Sequence, residues 1–248
     1  MFKQYGLIGY PLSHSFSAGY FNEKFKRENI TGCTYTAFPL EDIASFPALL
    51  AANPALRGLS VTIPYKEKII PFLDQLDPVA AVVGAVNCIR IGEDGKKTGF
   101  NTDVFGFRQS IKPFLEIQHE KALILGTGGA SKAVRHVLSE IGIDCYFVSR
   151  TKTPEAQKTF SYEEVNEYVM KAFNLIVNCT PCGMFPDIEN KPDLPYELTS
   201  PSHLFYDLIY NPAETAFLRE GKKHGAATVN GLSMLQQQAE EAWRLWSL

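Results

Sequence analysis

The glycine-rich stretch KALILGTGGASKAV, residues 121–134, constrains the fold of this chain more than any other segment. Residues 122–125 are apolar and have the pattern of a buried strand, and apolar residues at helical spacing predict a helix over 130–141. A glycine turn between a strand and a helix lets the backbone approach a diphosphate, which the first N–H groups of the helix then bind. We therefore predict a dinucleotide site that includes Gly126, Gly128, Gly129 and Ala130.

An ordinary tight strand-to-helix turn is the alternative interpretation of the same glycines. The next segment, 144–149, favours the dinucleotide site because it has the pattern of a second strand and completes the start of a βαβ unit.

The residues at the end of that second strand indicate which dinucleotide is bound. Dinucleotide folds that bind NAD place an acidic residue here, against the ribose hydroxyls. This chain has no carboxylate at that point and carries two hydroxyls and two cations instead: Ser149, Arg150, Thr151 and Lys152. Because a guanidinium can grip a phosphate with its planar fork, the segment favours NADP over NAD. Solvated loop charges are the alternative interpretation.

The composition excludes several other classes of protein. With 45% hydrophobic and 21% charged residues among 248, the chain can bury the core of one large domain or two small ones. A formal net charge of −3 gives no basic footprint for nucleic acid. The sequence contains no apolar run long enough to span a membrane, and its N-terminus reaches glycine and proline too early for a signal peptide. We therefore expect a cytoplasmic protein.

The cysteines do not suggest a disulfide framework, because they are five in number and scattered. Cys179 and Cys182 form a Cys-x-x-Cys pair, a spacing found in redox couples and in zinc sites. No second pair accompanies it, and the histidines show no ligand spacing, so we expect no metal site.

Strand and helix patterns alternate through the first hundred residues and start again at the glycine turn. This pattern predicts two α/β domains, an N-terminal one with a mixed sheet and a Rossmann-type one, with a cleft between them. We place the boundary near Asp103. The more specific predictions are a helix opened by Pro64, a strand over 83–91 followed by a hairpin turn at 93–95, and a helix from a Ser161–Glu164 capping box to about 171.

Hydroxyl, amide and charged side chains cluster at the predicted strand ends of the N-terminal half: Ser13, Ser15, Thr62, Lys66, Asn87, Asn101 and Asp103. If these ends converge, the pocket suits a small, polyhydroxylated anion. Lys66 and Asp103 then provide a proton donor and a carboxylate for acid–base chemistry. Taken singly, each residue has an ordinary interpretation: Lys66 is a surface lysine, Asp103 is the cap of the helix after it, and the two serines are turn residues or caps.

Four motifs resemble those of the shikimate dehydrogenase family, and the resemblance covers nearly the whole chain. In order they are GYPLSHSFS at 9–17, SVTIPYK at 60–66, GFNTDVFG at 99–106 and GLSML followed by QA at 231–239. Segments 178–184 and 207–212 add landmarks of a cofactor domain. The chain departs from the family pattern at Cys179, where alanine is usual, at Ser149, where asparagine is usual, and at Ala18, where proline is common. The stretch 151–173 is also short for the family.

The family reduces 3-dehydroshikimate to shikimate with NADPH, on the route through chorismate to aromatic amino acids. The resemblance implies that Lys66 exchanges a proton with the substrate oxygen, while Asp103 bonds substrate hydroxyls and fixes the lysine. It implies substrate contacts from Ser13, Ser15, Thr62, Asn87, Tyr210 and Gln238, and it adds Thr180 and Gly231 to the cofactor residues. It also places residues 1–102 and 231–248 in a substrate-binding domain and 103–230 in an NADP-binding domain.

Two alternatives stay open at this point. One is a related dehydrogenase that accepts quinate or uses NAD, and the other is a non-catalytic nucleotide-binding regulator that retains the fold. Arg150 and Lys152 argue against NAD, and the presence of Lys66 and Asp103 argues against a regulator. We expect a monomer or a homodimer.

Overall fold

The computed structural model describes residues 2–12, 16–151 and 158–248. The chain forms two compact units, which we call the N-terminal unit (Met1–Thr102 with Ala239–Leu248) and the central unit (Asp103–Gln238). The predicted assignment of 1–102 with 231–248 to substrate and of 103–230 to NADP stays a prediction. No helix among the described residues is long and apolar enough to cross a membrane.

The N-terminal unit contains a six-stranded mixed sheet. Its helices and strands are β1 (Lys3–Gly9), α1 (Phe16–Arg27), β2 (Cys33–Pro39), α2 (Phe46–Ala52), β3 (Leu56–Val61), β4 (Gln75–Leu76), α3 (Pro78–Val83), β5 (Cys88–Ile91) and β6 (Lys97–Phe100). The strand order is β2-β1-β3-β5-β6-β4. Strand β1 pairs parallel with β2 and β3, while β5 pairs antiparallel with β3 and β6, so the predicted hairpin is confirmed.

The central unit contains a second six-stranded sheet, in which every pairing is parallel. Its elements are α4 (Thr102–Ile111, whose first residue belongs to the N-terminal unit), β7 (Lys121–Leu125), α5 (Gly129–Glu140), β8 (Asp144–Val148), β9 (Thr159–Phe160), α6 (Glu167–Ala172), β10 (Leu175–Asn178), β11 (Leu204–Asp207), α7 (Ala216–Lys223), β12 (Ala227–Val229) and α8 (Leu232–Trp246, which belongs to the N-terminal unit from Ala239 onward). The order β12-β11-β10-β7-β8-β9 is that of a Rossmann fold. The predicted fold of two α/β domains, with a mixed sheet in the first and a Rossmann-type second, is confirmed.

The helix predicted from Pro64 is wrong. Residues 62–69 form turns, with Tyr65 N donating to Thr62 O at 2.9 Å and Ile69 N donating to Tyr65 O at 2.9 Å, and a short 3₁₀ helix follows over Ile70–Phe72. Pro71 explains why no longer helix forms, because proline cannot donate to the carbonyl four residues before it.

The strand predicted over 83–91 begins only at Cys88. Val83 is the last residue of α3, and Gly84 follows it in the left-handed conformation (φ 68°) as the C-cap. Asp77 caps the start of the same helix by accepting a bond from Val79 N at 2.9 Å. The apolar run Val82-Val83 is therefore the end of a capped helix, although its composition suits a strand.

The Ser161–Glu164 capping box is present, but it opens a 3₁₀ helix at Tyr162–Glu164 and not the α-helix that we predicted. The α-helix α6 starts only at Glu167, where the side chain of Asn166 accepts bonds from Tyr168 N and Val169 N. A second cap inside the predicted helix divides it in two.

Candidate functional site

The glycine turn lies at the carboxyl end of β7, the strand that pairs with β8 on one side and β10 on the other. Gly126 has a φ of 95°, in the left-handed region where residues with a side chain are strained, and its N–H donates to Val148 O at 2.9 Å. A Cβ at this position would also lie 3.1 Å from the methyl carbon of Thr180. Both the conformation and the close approach therefore require glycine here.

The helix α5 begins directly after this turn. Gly128 is its N-cap, without a capping side chain, and a Cβ on Gly128 would meet no atom within 4 Å. The start of α5 therefore has no capping side chain and has open space beside its N-cap, an arrangement that suits a diphosphate bound by the first N–H groups of the helix, those of Gly129 and Ala130. The structure brings together four of the predicted cofactor residues at this turn, and Thr180 with them.

The segment after β8 forms a closed turn in which Arg150 is exposed. Ser149 Oγ donates to Thr151 O at 3.0 Å, and Thr151 N donates back to Ser149 Oγ at 3.3 Å. Ser149 N also donates to Phe160 O at 3.0 Å, which ties the turn to β9. The serine thus holds the backbone on both sides of Arg150. Lys152 lies outside the described residues.

A buried network lies at the ends of β10 and β11, in two segments that the sequence analysis identified only as family landmarks, without roles for Asn178 and Asp207. Asp207 and Asn178 are wholly buried register partners, and Asn178 Nδ2 donates to Asp207 Oδ1 at 3.0 Å. Thr215 Oγ1 donates to Asp207 Oδ2 at 2.6 Å, and Ile209 N donates to Oδ1 at 3.0 Å. Burial raises the pKa of the Asp207 carboxyl to about 7, although these three hydrogen bonds act in the opposite direction. The sequence does contain a signal for this network, because Asp207 is a charged residue directly after the apolar run Leu204–Tyr206.

Gly231 and Tyr210 belong to neighbouring segments of the central unit. Gly231 N donates to Ile209 O at 3.0 Å, and a Cβ on Gly231 would collide with the carbonyl of Leu208. The glycine therefore allows the start of α8 to pack on the backbone before Tyr210. Tyr210 is half-buried, and burial raises the pKa of its hydroxyl.

Thr62 and Lys66 follow the end of β3 in the N-terminal unit. Thr62 N continues the pairing with β1 by donating to Ile8 O at 2.9 Å, and Lys66 O accepts a bond from Val86 N at 2.7 Å. Tyr65 anchors the turn between them, because it is buried and its hydroxyl donates to Leu40 O at 2.6 Å. The backbone on both sides of Lys66 is thus fixed, while its side chain is only half-buried. Ser13 and Ser15 lie outside the described residues.

Asn87 is buried and bonds to the residue that starts α4. Its Oδ1 accepts from Thr102 N at 2.6 Å, and its Nδ2 donates to Thr102 Oγ1 at 3.0 Å. Asn101 is also buried and donates to Ala85 O at 2.8 Å. Asp103 is the next residue along the chain, in the first turn of α4, where the helix dipole favours a carboxylate.

Gln238 lies on α8 at the point where this helix packs against α4 in the central unit. A Cβ on Gly106 would lie 2.6 Å from Met234 O and 2.9 Å from Gln238 Cβ. Asp103 is three residues before Gly106 and therefore shares its helix face. The structure thus brings the face of α4 that carries Asp103 against the segment of α8 that carries Gln238. Lys66 belongs to the other unit, and its pairing with Asp103 stays a prediction.

No group of three or more His, Cys, Asp or Glu side chains among the described residues could hold a metal ion. None of the five cysteines forms a disulfide, and Cys179 and Cys182 are both half-buried.

The strand order and the glycine turn define the central unit as a dinucleotide-binding domain of the Rossmann class. The family model described as the shikimate dehydrogenase substrate binding domain matches residues 7–89. A shikimate dehydrogenase (NADP(+)) of Halothermothrix orenii is 39% identical over 265 residues, which covers 98% of this chain and 90% of that protein. The chain belongs to the shikimate dehydrogenase family, as its motifs predicted.

Solved structures of related enzymes have the same fold over 99% of this chain. The shikimate 5-dehydrogenase of Thermus thermophilus, in complex with NADP(H) and shikimate, is 32% identical with a TM-score of 0.85, and 93% of it is covered. The quinate dehydrogenase of Corynebacterium glutamicum, in complex with NAD, is 27% identical with a TM-score of 0.87, and 94% of it is covered.

The contact between α4 and α8 gives a prediction about stability. We expect Gly106→Ala to destabilise the central unit by about 1–3 kcal/mol, because the new methyl group collides with backbone and not with a flexible side chain. Gly19→Ala in α1 is the matched control, since that helical glycine is exposed with nothing within 4 Å of a Cβ, and alanine there stabilises a helix by up to about 1 kcal/mol. Urea unfolding followed by circular dichroism measures both variants. Equal effects of the same sign would contradict the close packing of α8 on Gly106.

Proposed function

We propose that this protein catalyses the reversible NADPH-dependent reduction of 3-dehydroshikimate to shikimate, a step in the biosynthesis of chorismate and the aromatic amino acids. The observation that carries the proposal is the uncapped glycine start of α5 at the switch point of a Rossmann sheet whose second strand ends in Arg150, not in an acid. Family membership over nearly the whole chain supports the choice of substrate.

NADPH, when bound, supplies the hydride that reduces the ring ketone. The N–H groups at Gly128, Gly129 and Ala130 bind its diphosphate, with Gly126 and Thr180 shaping the turn beside them. Arg150, with Ser149 and Thr151 fixing its turn and Lys152 as a second cation, binds the 2′-phosphate. Gly231 completes the site by holding the start of α8 close to the segment before Tyr210.

Lys66 donates a proton to the oxygen of the ketone as it becomes an alkoxide, and removes that proton in the reverse direction. Asp103 accepts hydrogen bonds from substrate hydroxyls and orients the ammonium group of Lys66. A positioned ammonium group stabilises the developing negative charge, so the mechanism requires no metal ion.

The remaining predicted residues bind the rest of the substrate. Ser13, Ser15 and Tyr210 donate hydrogen bonds to the carboxylate, and Thr62, Asn87 and Gln238 bind the ring hydroxyls. Asn87 is suited to this role because its bonds to Thr102 already fix its orientation. We assign residues 1–102 and 231–248 to substrate binding and 103–230 to NADPH binding. We place the enzyme in the cytoplasm as a monomer or homodimer, and the cysteines, none of which forms a disulfide, suit a reducing compartment.

An assay of shikimate and quinate, each with NADP⁺ and with NAD⁺, tests the proposal. We expect the highest kcat/KM for shikimate with NADP⁺, because Arg150 and Lys152 match the extra phosphate. A quinate dehydrogenase that binds NAD shares this fold. A kcat/KM for quinate or for NAD⁺ comparable to that for shikimate with NADP⁺ would therefore contradict the proposal. Absence of activity with all four combinations would favour a non-catalytic nucleotide-binding regulator.

The role of Lys66 is tested by comparing two lysines in the same turn. We expect Lys66→Ala to lower kcat by about a hundred- to ten-thousand-fold, the usual effect of removing a positioned acid–base group, with NADP⁺ binding intact. Lys68→Ala is the matched control, since Lys68 is exposed and two residues away, and we expect its kcat to equal that of the wild type. Steady-state kinetics measure kcat for both variants. A Lys66→Ala enzyme with wild-type turnover would show that Lys66 has no role in the mechanism.

The role of Arg150 is tested with both cofactors. We expect Arg150→Ala to raise the KM for NADPH by about ten- to a hundred-fold, because a hydrogen bond between charged groups contributes about 1.5–3 kcal/mol. The KM for NADH, which lacks the 2′-phosphate, serves as the internal control and should change little. Equal increases for the two cofactors would show that Arg150 does not bind the phosphate.

A further inference from the structure

The network at the ends of β10 and β11 satisfies every polar atom of one buried amide. We call it the Asp207 network and define it as Asp207, Asn178, Thr180 and Thr215. Asn178 Oδ1 accepts from Thr180 N at 3.0 Å and from Thr180 Oγ1 at 2.6 Å. Its Nδ2 donates to Asp207 Oδ1 at 3.0 Å and to Cys182 O at 3.4 Å. A side-chain amide has two donor hydrogens and two acceptor lone pairs, and all four are used here.

The partners of Asn178 identify what the network holds. Three of its four bonds reach the segment just after β10, at Thr180 and Cys182, and the fourth reaches Asp207 on the neighbouring strand. Thr180 Oγ1 also accepts from Cys182 N at 3.3 Å. We call residues 179–183 the Thr180 loop. Side chains of the network therefore hold this loop in addition to two backbone bonds, from Cys179 N to Leu125 O at 3.0 Å and from Met184 N to Pro181 O at 3.1 Å.

The Thr180 loop contacts the glycine turn directly. The methyl carbon of Thr180 lies 3.1 Å and the carbonyl carbon of Cys179 lies 3.6 Å from the position of a Cβ on Gly126. Asp207 also accepts from Ile209 N, so the same carboxyl fixes the segment that leads to Tyr210. One buried pair of side chains thus bonds to two loops, and one of those loops lies against the glycine turn.

A carboxyl group that is completely buried is a costly way to stabilise a sheet. An apolar residue of similar volume is often as stabilising in such a position, because it carries no desolvation penalty. The raised pKa of Asp207, to about 7, is consistent with that penalty. Asn178 and Asp207 form hydrogen bonds to the two loops, which a pair of apolar residues could not form.

We propose that Asn178 and Asp207 are positioning residues for the cofactor, which hold the Thr180 loop against the glycine turn in the geometry that NADPH binds. This inference rests on the proposed function, because it assumes that the glycine turn is the NADPH site. Neither residue contacts the cofactor in this role. Their loss leaves the loop to be ordered at the moment of binding, and that ordering cost weakens affinity for the cofactor.

The test compares the same substitution at the two ends of one strand. Asn178→Ala removes the amide at the carboxyl end of β10, and Asn174→Ala removes one directly before its amino end, where Asn174 Nδ2 donates to Gln118 O at 3.5 Å. Calorimetric titration of the full chain with NADP⁺, without substrate, gives the dissociation constants. We expect Asn178→Ala to weaken NADP⁺ binding by about ten-fold or more, the worth of one to two hydrogen bonds, and Asn174→Ala to bind like the wild type.

Steady-state kinetics separate positioning from a general loss of structure. In Asn178→Ala we expect the KM for NADPH to rise about ten-fold or more and the KM for 3-dehydroshikimate to change less than two-fold. Equal increases in both, or equal effects of Asn174→Ala and Asn178→Ala on NADP⁺ binding, would overturn the inference. If the wild type itself fails to bind NADP⁺, the proposed function is wrong. If the wild type binds NADP⁺ and the Asn178→Ala variant binds it equally well, only this inference is wrong.

A milder variant covers the case in which Asn178→Ala does not fold. Thr180→Val keeps the shape of the side chain and the contact with Gly126, but removes the hydroxyl that donates to Asn178. Its matched control is Thr199→Val, because the Thr199 hydroxyl is buried without a hydrogen-bond partner in the described part of the chain. We expect Thr180→Val to weaken NADP⁺ binding by about five-fold or more and Thr199→Val to leave it unchanged. Wild-type affinity in Thr180→Val would overturn the inference.

Discussion

The position of β7 between β8 and β10 is the constraint on which the candidate cofactor site depends. The chain leaves β7 through α5 to reach β8 on one side, and it later returns to place β10 on the other side. The loops after β7 and β10 therefore diverge, and the opening at the carboxyl end of β7 is where folds of this kind bind their ligands. The left-handed backbone of Gly126 turns the chain into α5 at that opening, with Thr180 so close that a Cβ on Gly126 would lie 3.1 Å from its methyl carbon.

The parts of the fold that could be predicted from the sequence are those that depend on short local patterns. The glycine turn, the two strands on either side of α5 and the β5–β6 hairpin each depend on residues within about thirty positions of one another. The order of strands in the mixed sheet of the N-terminal unit is not of this kind. There β1 lies between β2 and β3, and β4 pairs with β6 and not with β5, which follows it in the chain; no local pattern specifies this order.

The wrong predictions share a physical cause, which is that a local signal was correct but a second signal nearby ended the element. Gly84 ends α3 where the apolar run suggested a strand, and Pro71 limits the helix that Pro64 was expected to open. Asn166 starts a new helix five residues after Ser161, which begins the first turn. Asp207 was missed for another reason, because its role depends on Asn178, a partner 29 residues away on the neighbouring strand. The roles of Tyr210 and Gln238 came from the resemblance alone, since neither lies in a local pattern that indicates chemistry.

The two units share one hydrogen-bonding arrangement at the points where a strand ends and a loop with predicted site residues begins. In each case a buried amide or carboxylate accepts a hydrogen bond from a backbone N–H that the sheet no longer pairs. Asn87 does this for Thr102 N, Asn178 for Thr180 N and Asp207 for Ile209 N. An unpaired buried N–H costs about as much as a lost hydrogen bond, so these side chains extend the order of the sheet into the loop. Loops that only connect elements do not need this arrangement, because water can satisfy their backbone. Buried polar residues at the ends of strands therefore mark the loops whose shape matters, and in this chain those loops are the ones that lead to Asp103, Thr180 and Tyr210.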